Sequence, residues 1–269
     1  DAATATTVYL AAVLQRPLLI EGPAGVGKTE LAKAVAAATG AELVRLQCYE
    51  GLDESRALYE WNYRKQLLRI QAAPDDRAWE DTHDDIFTEE FLLTRPLLRA
   101  IRNAAPTVLL IDEADKTDVE VEALLLEVLS EFQVTIPELG TVTATARPFV
   151  VVTSNATREL SEALKRRCLF LHLDYPTPER EREIVLARVP DIRRSLADQL
   201  VRTAATLRTL ELKKAPSVAE TIDWARTLLA LGIDELDEPA IARTLGVVLK
   251  HASDHTRAAK ELGLGADGG

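Results

Sequence analysis

The segment Gly22-Pro23-Ala24-Gly25-Val26-Gly27-Lys28-Thr29, followed by Glu30, has the residue types and spacing that hold a polyphosphate. It matches the pattern G-x-x-x-x-G-K-[ST] and lies between an apolar run, Leu18–Glu21, and a stretch with helical character. Gly22, Gly25 and Gly27 allow backbone N–H groups to turn inward around phosphate oxygens, in conformations that a Cβ resists. A helix beginning at Lys28 would aim its positive end at the same oxygens. Lys28 is expected to reach the terminal phosphates, and the Thr29 hydroxyl to take a place on Mg²⁺. Bound Mg·ATP is therefore the expected ligand, with Gly22 to Glu30 as its cradle.

A second group ends the aliphatic run Val108–Ile111, where Asp112-Glu113 stands. Acids at the carboxyl end of a buried strand sit where open α/β sheets bind ligands. Asp112 is expected on the cation, and Glu113 beside the water that attacks the γ-phosphate. Phe149–Ser154 leads to Asn155. If that strand lies between the other two, the Asn155 amide faces the γ-phosphate. Arg166 and Arg167 precede a last apolar run; one of them, with Arg167 preferred, could reach a neighbouring subunit's nucleotide.

These groups need a scaffold of alternating strands and helices, and the chain has that pattern. Strands are predicted at Leu18–Glu21, Leu43–Gln47, Val108–Asp112, Phe149–Ser154 and Leu169–Leu173. Most lack period-two alternation, as parallel strands buried on both faces do. Helices are predicted at Lys28–Ala38, Thr88–Arg102 and Glu120–Glu131. The expected fold is a five-stranded parallel α/β sheet over 1–174. Past the proline-marked Asp174–Pro178, only helical stretches are read, at Glu179–Arg188, Ile192–Leu207, Ser217–Leu231 and Pro239–Lys250. A small helical lid over 175–262 and a frayed glycine-rich tail at 263–269 complete the expected organisation.

Composition narrows the function. The chain has 269 residues, 47% hydrophobic and 28% charged, the mix of a globular domain. Its 32 basic against 43 acidic residues, net −11, argue against nucleic acid as partner, because phosphate neutralisation needs a basic surface. Cys48 and Cys168 have no C-x-x-C partner, which excludes a zinc ribbon or disulfide framework and favours a reduced, cytoplasmic setting. No apolar run is long enough to span a membrane and no signal peptide is read. The chain begins at Asp1 and contains no methionine, the pattern expected of a trimmed N-terminus. The carboxylates Asp75, Asp76, Glu80, Asp81, Asp84, Asp85, Glu89 and Glu90 read as a solvated acidic loop. Tyr49, Tyr59, Trp61 and Tyr63 read as a packed aromatic cluster or an exposed gripping surface.

Cradle, Asp-Glu strand, Asn-ended strand, arginine pair and helical lid succeed one another as in an AAA+ ATPase module, which the whole chain resembles. More narrowly, Gln47–Asp53, Pro137–Thr141 and Thr153–Leu160 resemble the MoxR group, in its branch accompanying carbon-monoxide dehydrogenases and related molybdenum hydroxylases. The resemblance implies a homo-oligomer, a hexameric ring that uses ATP hydrolysis to mature a metalloenzyme client, with a partner bearing a von Willebrand factor A domain. It also implies that residues 49–66 and a hairpin within Val134–Phe149 face the ring pore. Activators of nitric-oxide reductase or rubisco are the alternative within the class. One departure stands out: where the group carries a lid arginine, this chain has Val218, with Lys213 and Lys214 nearby. A DEAD-box helicase is excluded because the chain beyond Asp174 is too short and too helical for a second such domain. A nucleic-acid motor or a small-molecule kinase on the same cradle is disfavoured by the charge balance and by the arginine pair.

Overall fold

The computed structural model describes residues 2–72, 83 and 85–264. Contacts divide the chain into two compact units: residues 1–22 with 28–172, and residues 23–27 with 173–269.

The first unit is built on a parallel sheet of five strands, β1 (Leu18–Glu21), β2 (Glu42–Gln47), β5 (Thr107–Asp112), β8 (Phe149–Ser154) and β9 (Leu169–His172), in the order β2-β5-β8-β1-β9. Strand β8 pairs with both β1 and β5, so the Asn155 end lies between the cradle and the Asp112 end. The inner strands β5 and β8 are buried almost throughout, whereas edge strands β2 and β9 alternate. That difference is the mark of a sheet covered on both faces and wetted at its rims. Helix α2 (Lys28–Thr39) follows the cradle, and α6 (Val119–Glu131) follows β5 with Asp118 as its N-cap, accepting from Val121 N. A helix not anticipated from the sequence, α1 (Ala2–Val13), precedes β1; its near-uniform apolar and threonine content gave no periodic signal. Strands β6 (Gln133–Ile136) and β7 (Gly140–Thr143) form an antiparallel hairpin, with Gly140 at φ +82°.

The single helix expected over Thr88–Arg102 is not formed. Glu89–Phe91 makes one 3₁₀ turn and Leu92–Thr94 forms β4, paired antiparallel to β3 (Tyr59–Trp61); α5 starts only at Pro96 and runs to Arg102. Pro96 is the cause: it biases Arg95 to an extended conformation and fits the first turn of a helix, not its middle. Helices α3 (Glu54–Ala57) and α4 (Tyr63–Gln71) flank β3. The aromatic segment divides: Trp61 is buried edge-on against Phe87 at 5.1 Å, while Tyr63 is exposed. Of the acidic run, Asp75, Asp76, Glu80, Asp81 and Asp84 lie outside the described residues; Asp85 pairs with Arg69 and Glu90 with Lys65.

Among the described residues of the second unit, the regular elements are all helical. Its helices are α8 (Pro178–Arg188), α9 (Arg194–Thr209), α10 (Val218–Ala230), α11 (Glu238–Thr244) and α12 (Ala252–Glu261). The helix expected over Pro239–Lys250 ends at Thr244 and passes into a 3₁₀ turn, and α12 was not anticipated. Their core packs around fully buried Trp224, whose indole N–H donates to Thr244 Oγ1 at 2.7 Å. Helix α10 opens with a capping box between Ser217 and Glu220. Fully buried Glu181 meets Arg208 in a two-pronged pair, with Nη1 to Oε2 at 2.5 Å and Nη2 to Oε1 at 2.8 Å. Arg208 also donates to Pro216 O and lies over the Tyr175 ring, 4.5 Å from its centroid. A Cβ on Gly25, where φ is +74°, would lie 2.4 Å from Ser217 Cβ, so glycine is needed there on two counts. In the tail, Leu264 N donates to Ala259 O at 2.9 Å, and 265–269 lie outside the described residues.

Candidate active site

The carboxyl ends of β1, β5 and β8 converge on the start of α2. Lys28 is buried there, and its Nζ donates to Gly22 O at 2.6 Å and to Asn155 Oδ1 at 2.7 Å. Burial lowers its pKa, against the raising influence of Asp115, Asp112 and Glu113. The sheet order thus joins two residues that are 127 positions apart in sequence.

Thr29 Oγ1 faces both carboxylate oxygens of buried Asp112, at 3.1 and 3.2 Å. A hydroxyl and a carboxylate turned towards each other form a hard-oxygen donor set, which suits Mg²⁺ held together with nucleotide phosphates. These two residues fit the cation expected from the sequence. When bound, such a cation offsets phosphate charge.

Glu113 leaves β5 in the left-handed conformation, φ 58° and ψ 47°, with its N–H donating to Thr153 Oγ1 at 2.9 Å. Thr153 in turn donates to Asp112 Oδ1 at 2.5 Å, so one buried hydroxyl fixes both acids. The Glu113 carboxylate accepts from Gln47 Nε2 at 3.1 Å and from Lys116 Nζ at 2.6 Å. The contact with Lys116 holds that residue's pKa above its ordinary value. Across the sheet edge, Arg45 donates to Asp112 Oδ2 from Nε at 3.1 Å and Nη2 at 2.5 Å. Arg45 Nη2 also donates to Gln47 Oε1.

Asp115, 3% exposed, organises the turn after β8. Its oxygens accept from Asn155 N at 3.1 Å, from Thr157 N at 3.0 Å and from the Thr157 hydroxyl. Burial alone would raise this carboxyl, but the hydrogen bonds from Thr157 and Asn155 bring it below the usual range. The turn contains Ala156 at φ +56°, a conformation that needs such support.

Arg45, Gln47, Asp115, Lys116 and Thr153 were not anticipated from the sequence. The arginine pair stands on α7 (Glu162–Arg167), capped by Ser161, and both side chains are exposed. Arg167 is engaged within the chain: its Nε donates to Ser130 Oγ at 2.7 Å and its Nη1 to Ala163 O at 3.1 Å. Cys48 and Cys168 are buried, with pKa values pushed up to about 12, first by burial. Among the described residues no helix is long and apolar enough to cross a membrane.

Known proteins resemble the chain in family and in sequence. The family model of the AAA domain, dynein-related subfamily, matches residues 17–168, which carry the cradle and the strands β1, β2, β5 and β8. Protein NorQ of Paracoccus denitrificans is 27% identical over 208 residues, covering 75% of this chain and 68% of NorQ. The uncharacterized protein SH1500 of Staphylococcus haemolyticus is 25% identical over 243 residues, covering 86% of this chain and 84% of that protein. Among solved structures, the P216G mutant of RuvB from Thermotoga maritima aligns with a TM-score of 0.45 at 17% identity, over 98% of this chain and 81% of its own.

Proposed function

We propose that this chain, which belongs to the AAA domain family in its dynein-related subfamily, spends ATP hydrolysis on remodelling another protein, with a metalloenzyme as client. The chain is an AAA-type ATPase with a distant NorQ relative of the MoxR type. The observation that carries the assignment of the site is the Thr29 hydroxyl set against both Asp112 oxygens at 3.1 and 3.2 Å, beside Lys28.

In this reading, residues 22–30 cradle the phosphates and Lys28 balances the terminal ones. Thr29 and Asp112 hold the cation, and Glu113 accepts the proton of the attacking water. Asn155 orients that water, because its amide is held at Lys28 by the turn that Asp115 supports. An arginine of a neighbouring copy completes the site. Arg166 is the better candidate, since Arg167 is bonded to Ser130 and to its own helix. That choice reverses the preference drawn from the sequence. Residues 175–262 act as a lid domain.

The resemblance of Gln47–Asp53, Pro137–Thr141 and Thr153–Leu160 to the group of carbon-monoxide dehydrogenase accessory ATPases is what supports a molybdenum hydroxylase client, a hexameric ring and a partner with a von Willebrand factor A domain. The likeness to NorQ supports the second reading, an activator of another enzyme such as nitric-oxide reductase.

The test is Glu113→Gln. ATP binding should stay within about threefold of the parent, and turnover should fall by about 100-fold or more, the share of a lost general base. A variant that hydrolyses ATP at the parent rate removes Glu113 from the role. Retention of the client enzyme by the ATP-loaded variant, compared between candidate metalloenzymes, then separates the two readings.

A further inference from the structure

Arg45 stands at the sheet edge, where neither the cradle nor the hydrolytic water requires it, yet its guanidinium links the two acids. On β2, residues 45 and 47 share one face, and the register sets Gln47 opposite Asp112. Arg45 Nη2 divides its hydrogen bonding between Asp112 Oδ2, at 2.5 Å, and Gln47 Oε1. With the guanidinium fixing the amide oxygen, the Gln47 nitrogen is turned to Glu113 Oε2, to which it donates at 3.1 Å, and to Cys48 O, at 3.3 Å. Released from Arg45, the same amide could turn over and present its oxygen to a carboxylate, which is repulsive.

We propose that Arg45 is a positioning residue that couples the charge state of the metal-binding carboxylate to the placement of the base. Asp112, when it shares its charge with Mg²⁺, attracts Arg45 less; the guanidinium then turns more fully to Gln47, whose amide holds Glu113. Arg45 therefore opposes cation binding in one direction and orders the base in the other. The inference rests on Asp112 as cation ligand and Glu113 as general base.

The experiment uses the full chain with Arg45→Ala, Gln47→Ala, the double variant and Arg45→Lys. Two quantities are read: kcat at saturating Mg·ATP, and Mn²⁺ affinity by electron paramagnetic resonance with ADP present. Arg45→Ala should bind Mn²⁺ about three- to fivefold tighter, the scale of one partly exposed charge pair. The two single variants should each lower kcat by about tenfold, at the lower end of what outer partners of metal-site ligands contribute. The double variant should match the singles, because both sever one linkage. Arg45→Lys carries the charge without the fork, so it should restore Mn²⁺ affinity and leave kcat low. Should Arg45→Ala not fold, the cycle of Arg45→Lys with Gln47→Ala asks the same question of kcat.

Factors that multiply in the double variant, unchanged Mn²⁺ affinity in Arg45→Ala, or full recovery of kcat in Arg45→Lys would each overturn the proposal. If Glu113→Gln turns over ATP normally, the premise fails; if it is inactive and the cycle is additive, only the role of Arg45 fails.

Discussion

Replacing Asp115 tests whether the turn carrying Asn155 is held from outside itself. In Asp115→Ala, the N–H groups of Asn155 and Thr157 lose their acceptor, as does the Thr157 hydroxyl. Each stranded, part-buried donor costs about 1–2 kcal/mol, the lower part of the range for a buried one, so a loss of about 3 kcal/mol is expected for the two amides together. At about 2–4 °C per kcal/mol for a unit of this size, Tm should fall by about 10 °C. Asp115→Asn keeps one acceptor oxygen and should lose about half as much. The pH dependence has a definite sign. Hydrogen bonds hold the Asp115 pKa below its usual value, so its stabilisation is complete above the ordinary carboxylate pKa of about 4 and disappears as pH falls through the folded-state value. Differential scanning calorimetry of parent and Asp115→Asn from pH 7 to 3 should show the gap between them closing at the acid end. Because Asn155 is displaced while the cradle is intact, kcat should drop by about tenfold with nucleotide affinity little changed. A Tm for Asp115→Ala within about 2 °C of the parent, or a gap that widens towards pH 3, would refute this account of the turn.

Other substitutions probe the remaining assignments. Lys28→Ala should weaken ATP binding by about 100-fold, the worth of one buried charge-assisted contact to phosphate; equal affinity by calorimetric titration would remove Lys28 from the phosphate site. If the arginine acts between subunits, specific ATPase activity should rise with protein concentration. Mixing Arg166→Ala with Lys28→Ala should then recover activity that neither variant has alone, whereas recovery with Arg167→Ala but not with Arg166→Ala would return the role to Arg167. In the helical unit, Arg208→Ala leaves the fully buried Glu181 without its cation and should cost about 3–5 kcal/mol in urea unfolding, against a much smaller loss for Arg180→Ala, whose pair with Glu183 is exposed.

Local patterns made the sheet legible. The cradle, the aliphatic runs of β1, β5 and β8, and the helix behind Lys28 are written in consecutive residues, and strand ends matched within a residue or two. The position of β8 between β1 and β5 could be stated only as a condition, because strand order is a property of tertiary pairing. For the same reason Arg45, Gln47 and Thr153 carried no signal: each reaches the acids of β5 from a neighbouring strand, and nothing in the spacing along the chain marks that adjacency. Asp115 was visible in Asp112-Glu113-Ala114-Asp115, but its duty is to a loop 40 positions later. The break at Pro96 was readable from the proline rule and was overridden by the helical character of the leucine- and arginine-rich stretch around it. Helix α12 was missed because its apolar face is made of small alanines set among charged and polar residues, so the stretch reads as polar along the chain although its period is helical.

The burial of Cys48 and Cys168 has a practical corollary. A thiol whose pKa is about 12 offers almost no thiolate at neutral pH, so alkylating reagents should find the folded chain nearly silent. Labelling of the native sequence would then clock the opening of its interior. Conversely, a cysteine engineered at the exposed Tyr63 would accept a fluorophore without either natural sulfur having to be removed first.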